Sequence, residues 1–126
     1  MRRLAAPFAL LALAAGCGGD DQESGGRTVT TAPGATVMVA AHEYEFDPDR
    51  LVVERPGTVT IRLRNDGDLA HNLRVLRDGE EIGGTPSFAA GGTRTAKLRL
   101  AAGTYEYLCT VGDHAELGMT GKLEVK

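Results

Sequence analysis

Cys109, His114 and Met119 follow one another near the C-terminus as C-x4-H-x4-M, and a second imidazole, His71, lies upstream in Leu69-Ala70-His71-Asn72. The set offers one thiolate, two imidazoles and one thioether. Two His and one Cys in a plane, with a weak and distant axial Met, form the donor set of blue-copper electron-transfer sites. Soft sulfur holds Cu(I), imidazole accepts both Cu(I) and Cu(II), and a compromise geometry lets the ion change charge without rearranging its ligands. Each residue alone has a plainer reading. A buried His is commonly a satisfied core residue, and Met or a single Cys commonly fills space as a hydrophobe. The four together point to a metal.

Other chemistries fit less well. Structural zinc uses paired Cys or His at C-x2-4-C and H-x3-5-H spacings, and the chain has neither pair. Iron–sulfur clusters need several cysteines. A thiol nucleophile would want a base held by a third group, and nothing near Cys109 and His114 is placed to do that. Centres with further copper ions need further histidines, yet the chain has only three. The third, His42 in Ala41-His42-Glu43-Tyr44, reads as an exposed strand residue. A binuclear copper centre would need a second Cys near Cys109, where Asp113 stands. The expectation is one copper ion, no catalysis, and His71, Cys109, His114 and Met119 as ligands.

The chain has 126 residues, room for one domain once its ends are discounted. Arg2 and Arg3 precede an apolar run from Leu4 to Ala15, the pattern of a secretory signal and too short to span a bilayer. The stretch Leu13-Ala14-Ala15-Gly16-Cys17 resembles a bacterial lipoprotein cleavage box, with Cys17 as lipid acceptor and residues 1–17 as signal. Residues 18–35, rich in Gly and acid, read as a flexible tether. The globular domain is expected over 36–126. Removal of the signal leaves 12 basic against 17 acidic residues, with no basic patch for nucleic acid. If Cys17 carries lipid, Cys109 is the domain's single cysteine, which in an exported protein suggests a reactive or metal-bound thiol.

The ligands need elements to hold them, and those read as short strands between turns. Val59, Ile61 and Leu63 alternate with polar residues, as do Ala96, Leu98 and Leu100. Pro56-Gly57, Asn65-Asp66-Gly67-Asp68, Asp78-Gly79 and Ala102-Gly103 mark turns or loops. His71, Leu73 and Val75 share one parity, which places His71 on an inward face with Asn72 outward. Tyr105, Tyr107 and Cys109 share another, so the thiol ends an inward-facing strand. No stretch has helical periodicity beyond a turn. The expected fold is all-β, an antiparallel Greek-key β-sandwich of about seven to eight strands.

With these motifs assembled, residues 36–126 resemble the cupredoxins, small type 1 copper proteins such as plastocyanin, azurin and auracyanin. The likeness rests on Tyr44-Glu45-Phe46-Asp47-Pro48, Pro56-Gly57-Thr58, His71-Asn72, Gly103-Thr104-Tyr105 and the Cys109–Met119 loop with Gly118-Met119-Thr120-Gly121. The gap of four between Cys109 and His114 is similar to azurin and auracyanin. Azurin's disulfide has no counterpart, and Leu108 replaces the exposed Tyr that precedes the plastocyanin Cys. The resemblance implies that the Asn72 side chain ties the His71 segment to the Cys109–Thr110 loop. It also implies that the His114 ring edge is the electron port, ringed by Leu69, Ala70, Ala115 and Leu117. The function expected is one-electron carriage between extracytoplasmic redox partners that dock near His114. The carrier would be a monomer, lipid-anchored to a bacterial membrane in the periplasm or at the cell surface. A copper carrier or buffer that hands the ion to an envelope protein is the alternative. Such proteins favour clustered, exposed Met and His, whereas Met1, Met38 and Met119 are scattered.

Overall fold

The computed structural model describes residues 26–126. The expected signal, its Cys17 and most of the tether lie outside them. Ten strands run in chain order, the first four being β1 (Thr28–Thr31), β2 (Thr36–His42), β3 (Glu45–Asp47) and β4 (Arg50–Val53). The longer β5 (Gly57–Asn65) leads to β6 (Arg74–Arg77) and β7 (Glu80–Gly84). The last three are β8 (Thr93–Leu100), β9 (Gly103–Leu108) and β10 (Thr120–Val125). They form a six-stranded sheet, β1-β4-β10-β9-β6-β7, and a four-stranded sheet, β3-β2-β5-β8. Among the described residues there is no helix.

The core lies between the sheets and comes from period-two strands. Val59, Ile61 and Leu63 of β5 are buried while Arg62 and Arg64 are exposed, and β8 repeats this with Ala96, Leu98 and Leu100. The opposite sheet contributes Leu51, Val75, Tyr105, Tyr107 and Leu123. Fully burying one such aliphatic side chain contributes about 1.5–3 kcal/mol. Tyr107 carries its polar tip inside, where its hydroxyl donates to Pro48 O at 2.8 Å. Burial, with Asp49 and Asp47 nearby, pushes its ionisation well above the ordinary tyrosine value.

The all-β sandwich stands, with ten strands where seven to eight were expected and with two further differences from the sequence expectation. First, not every pairing is antiparallel: β1 with β4, β4 with β10, and β2 with β5 run parallel. Side-chain alternation fixes which face is buried but not the direction of the neighbour. Second, the segment expected to be tether as far as residue 35 contains β1. Thr28, Val29, Thr30 and Thr31 pair with Arg50 to Val53, and Val29 packs on the core. β-Branched residues suit such a pleated, half-buried edge, and a Gly-rich prelude masked their signal.

Candidate metal centre

Three loops and one hairpin converge at the end of the sandwich where β9 stops. Cys109 follows β9 directly, and its N–H donates to Met119 O at 3.2 Å, just before β10 begins. Between them the chain winds through successive turns, with His114 N–H donating to Val111 O and Met119 N–H to His114 O, each at 3.1 Å. Gly118 holds φ at 119°, a left-handed value that side chains avoid, and so returns the loop towards β10. His71 is held on the opposite side by reciprocal backbone bonds to Phe88, 3.2 and 3.1 Å.

Within this frame the thiol sulfur and one ring nitrogen from each imidazole lie within 4.8 Å of one another. Cys109 Sγ is 3.5 Å from His114 Nδ1 and 4.0 Å from His71 Nδ1. Donors bonded to one ion at roughly 2.0–2.3 Å in a trigonal plane stand about 3.5–4 Å apart. The spacing therefore fits a single small ion. Cys109, His71 and Met119 are fully buried, and His114 keeps only 7% of its surface exposed. Burial lowers the His71 pKa despite the opposing pull of Glu43, which favours the neutral ring a metal requires. His42, expected to stand apart, faces Glu45 at 3.2 Å and is absent from the cluster.

The supporting contacts follow the sequence expectation in part. Asn72 Nδ2 donates to Thr110 Oγ1 at 2.7 Å, and Thr110 N–H donates back to Asn72 Oδ1 at 2.8 Å. These bonds bridge the two ligand segments. Asn72 is buried rather than outward, because residues 71–73 precede β6 and strand parity does not extend to them. Of the residues expected around His114, Leu69, Ala70 and Leu117 are exposed and Ala115 is half-buried.

Three residues escaped the sequence reading. Buried Asn65 donates to Leu69 O and Phe88 O at 2.9 and 3.1 Å, and its Oδ1 accepts from Gly67 N–H. The Tyr44 ring lies 5.2 Å from that of His114. Glu43 Oε1 accepts from Asp68 and Leu69 N–H at 2.9 and 2.7 Å and stands 3.2 Å from His71 Nε2. These bonds, that to Leu69 foremost, bring its carboxyl pKa down to about 2. Hydrophobic periodicity carries no signal for such polar contacts between loops.

With fold and donor set in place, comparison with known proteins agrees. Residues 33–126 match the family described as copper binding proteins, plastocyanin/azurin family. The chain belongs to that family. It is a cupredoxin, a copper-binding electron-transfer protein and not an enzyme. Among solved structures it is similar to auracyanin A, a "blue" copper protein of Chloroflexus aurantiacus, at 28% identity and a TM-score of 0.67, over 76% of this chain and 100% of that one. Auracyanin from Roseiflexus castenholzii shares 23% identity and the fold, with a TM-score of 0.68 over 75% of this chain and 98% of that one. Rusticyanin from Thiobacillus ferrooxidans shares 24%, with a TM-score of 0.62 over 79% and 82%. A search of curated protein sequences finds no match.

Proposed function

We propose that the protein is an extracytoplasmic one-electron carrier with a single type 1 copper site, which His71, Cys109 and His114 would hold strongly and Met119 weakly. The observation that carries this reading is one thiol sulfur and two imidazole nitrogens gathered within 4.8 Å in a buried pocket. Copper supplies the Cu(I)/Cu(II) couple. The chain supplies a cage that need not move: two strands end in the ligand loop, and the Asn72–Thr110 bonds lock it to the His71 segment. The His114 edge is the point of electron exit, and the apolar residues around it suit a brief, small-area encounter with a redox partner. Lipid on Cys17 would hold the monomer to a bacterial membrane.

The test is spectroscopic. Addition of Cu(II) to the purified protein gives an intense visible band and a narrow-hyperfine EPR signal. Cys109→Ser abolishes both, and His42→Ala changes neither. Colourless wild-type protein overturns the reading. Met119→Leu keeps the colour and raises the reduction potential, since the lost thioether donated to Cu(II). An unchanged potential removes Met119 from the ligand set. Copper delivery, the rival reading, demands rapid handover of Cu(I) to a chelator; the burial of His71 and Cys109 favours retention.

A further inference from the structure

One oxygen atom, Glu43 Oε1, gathers two backbone N–H groups of the loop before His71 and lies beside the far nitrogen of the His71 ring. An ionised carboxylate only accepts hydrogen bonds. With Asp68 and Leu69 donating to it, its remaining neighbour, His71 Nε2, must bring a proton too. The neutral ring has one N–H, so Nδ1 is left with a bare lone pair, and Nδ1 is the atom that faces Cys109 Sγ at 4.0 Å. Gly67 makes the approach feasible: a Cβ there would meet the two Glu43 carboxylate oxygens at 2.6 and 2.7 Å. Its backbone needs no glycine for φ, so the missing side chain is a matter of space.

We propose that Glu43 is a positioning residue for the metal centre: its carboxylate selects the His71 tautomer that presents Nδ1, clamps the loop over residues 67–69, and places a negative charge against a ligand ring. The inference rests on the copper reading above. Its consequence is chemical as well as geometric. A carboxylate on the outer N–H makes the imidazole a stronger donor, and its charge favours Cu(II) over Cu(I). The ligand atom is thus chosen before any ion arrives.

Two substitutions separate hydrogen bond from charge. Glu43→Gln keeps an acceptor oxygen and loses the charge; Glu43→Ala loses both. In the metal-free protein, nitrogen-15 spectra of the imidazoles report His71 protonated at Nε2 in the wild type and in Glu43→Gln, and a mixture of tautomers in Glu43→Ala. In the copper-loaded protein both variants favour Cu(I) by on the order of tenfold, an upward potential shift of about 59 mV. Gly67→Ala, which displaces the carboxylate without changing any charge on the chain, shifts the potential in the same direction but by less. A merely structural Glu43 would lower stability and leave tautomer and potential unmoved, and that result overturns the proposal. Wild-type protein that binds no copper but keeps the Nε2–H tautomer, lost in Glu43→Ala, would sink the copper reading instead and leave the tautomer assignment standing.

Discussion

At the scale of single residues, the site depends on side chains whose partners lie far off in sequence. Asn72 and Thr110 are 38 residues apart, yet they exchange two hydrogen bonds of 2.7 and 2.8 Å. Asn72→Ala removes both and leaves the Thr110 N–H without that partner. Thr110 is exposed, so water can replace Asn72 there, and a typical hydrogen bond contributes a net of about 0.5–1.5 kcal/mol. Chemical denaturation should therefore show Asn72→Ala less stable by that amount in the metal-free state, where the copper bonds cannot mask the loss. A midpoint within error of the wild type would mean that the two loops are held together by something else. Of the residues at this scale, the four proposed ligands were legible because their types are chemically rare and three of them share one short segment. Glu43 and Asn65 were not. A carboxylate beside Tyr44 and an amide before Asp66 look like any polar loop residue until the chain brings Leu69, Phe88 and His71 to them.

At the scale of elements, the close approach of β9 and β10 fixes the two ends of the ligand loop. Gly121 of β10 lies opposite Tyr107 of β9, and a Cβ at Gly121 would stand 2.2 Å from the Tyr107 ring. Gly121→Ala must push the ring or the strand aside, at a cost of about 1–3 kcal/mol for overpacking. The Tyr107 hydroxyl bond to Pro48 O is strained by the same shift. The expected outcome is a lower denaturation midpoint with the blue spectrum retained, since Cys109 and Met119 remain tied backbone to backbone. Full stability in this variant would show that the sheet yields there at no cost. The strands themselves were readable wherever one face is buried and the other wet, as in β5 and β8. Strand direction was not readable, because a parallel neighbour such as β2 beside β5 leaves no mark in the pattern of either strand. β1 was hidden because half-burial at an edge needs only one apolar residue, Val29, among threonines.

At the scale of the whole molecule, charge is divided along the sandwich. Glu43, Glu45, Asp66, Asp68, Asp113 and Glu116 all lie on the hairpin and loops around His71 and His114. Strand-end cations stand there too: Arg64, paired with Asp66 at 2.8 Å, Arg74, opposite Leu108 and paired with Glu81, and Arg94, over the Phe88 ring. Residues 26–126 hold 12 Lys and Arg and 14 Asp and Glu. With Glu81 counted, that end takes three of the former and seven of the latter, leaving nine cations against seven carboxylates elsewhere. The result is an acidic metal end and a basic remainder. The thiolate offsets one charge of a bound copper ion, so loading the site does not reverse the sign. A dipole of this sense turns the metal end towards a cation during diffusional approach. Electron exchange with a cationic inorganic complex should slow as salt rises from 0.01 to 0.15 M, where the screening length contracts from roughly 30 to 8 Å. Exchange with an anionic complex of similar driving force should quicken over the same range. The paired variant Asp68→Lys with Glu116→Lys alters two exposed side chains outside the proposed ligand set and should flatten both trends. Stopped-flow rates measured against ionic strength decide the matter: salt slopes of one sign for both complexes would mean that electrons leave by a different face.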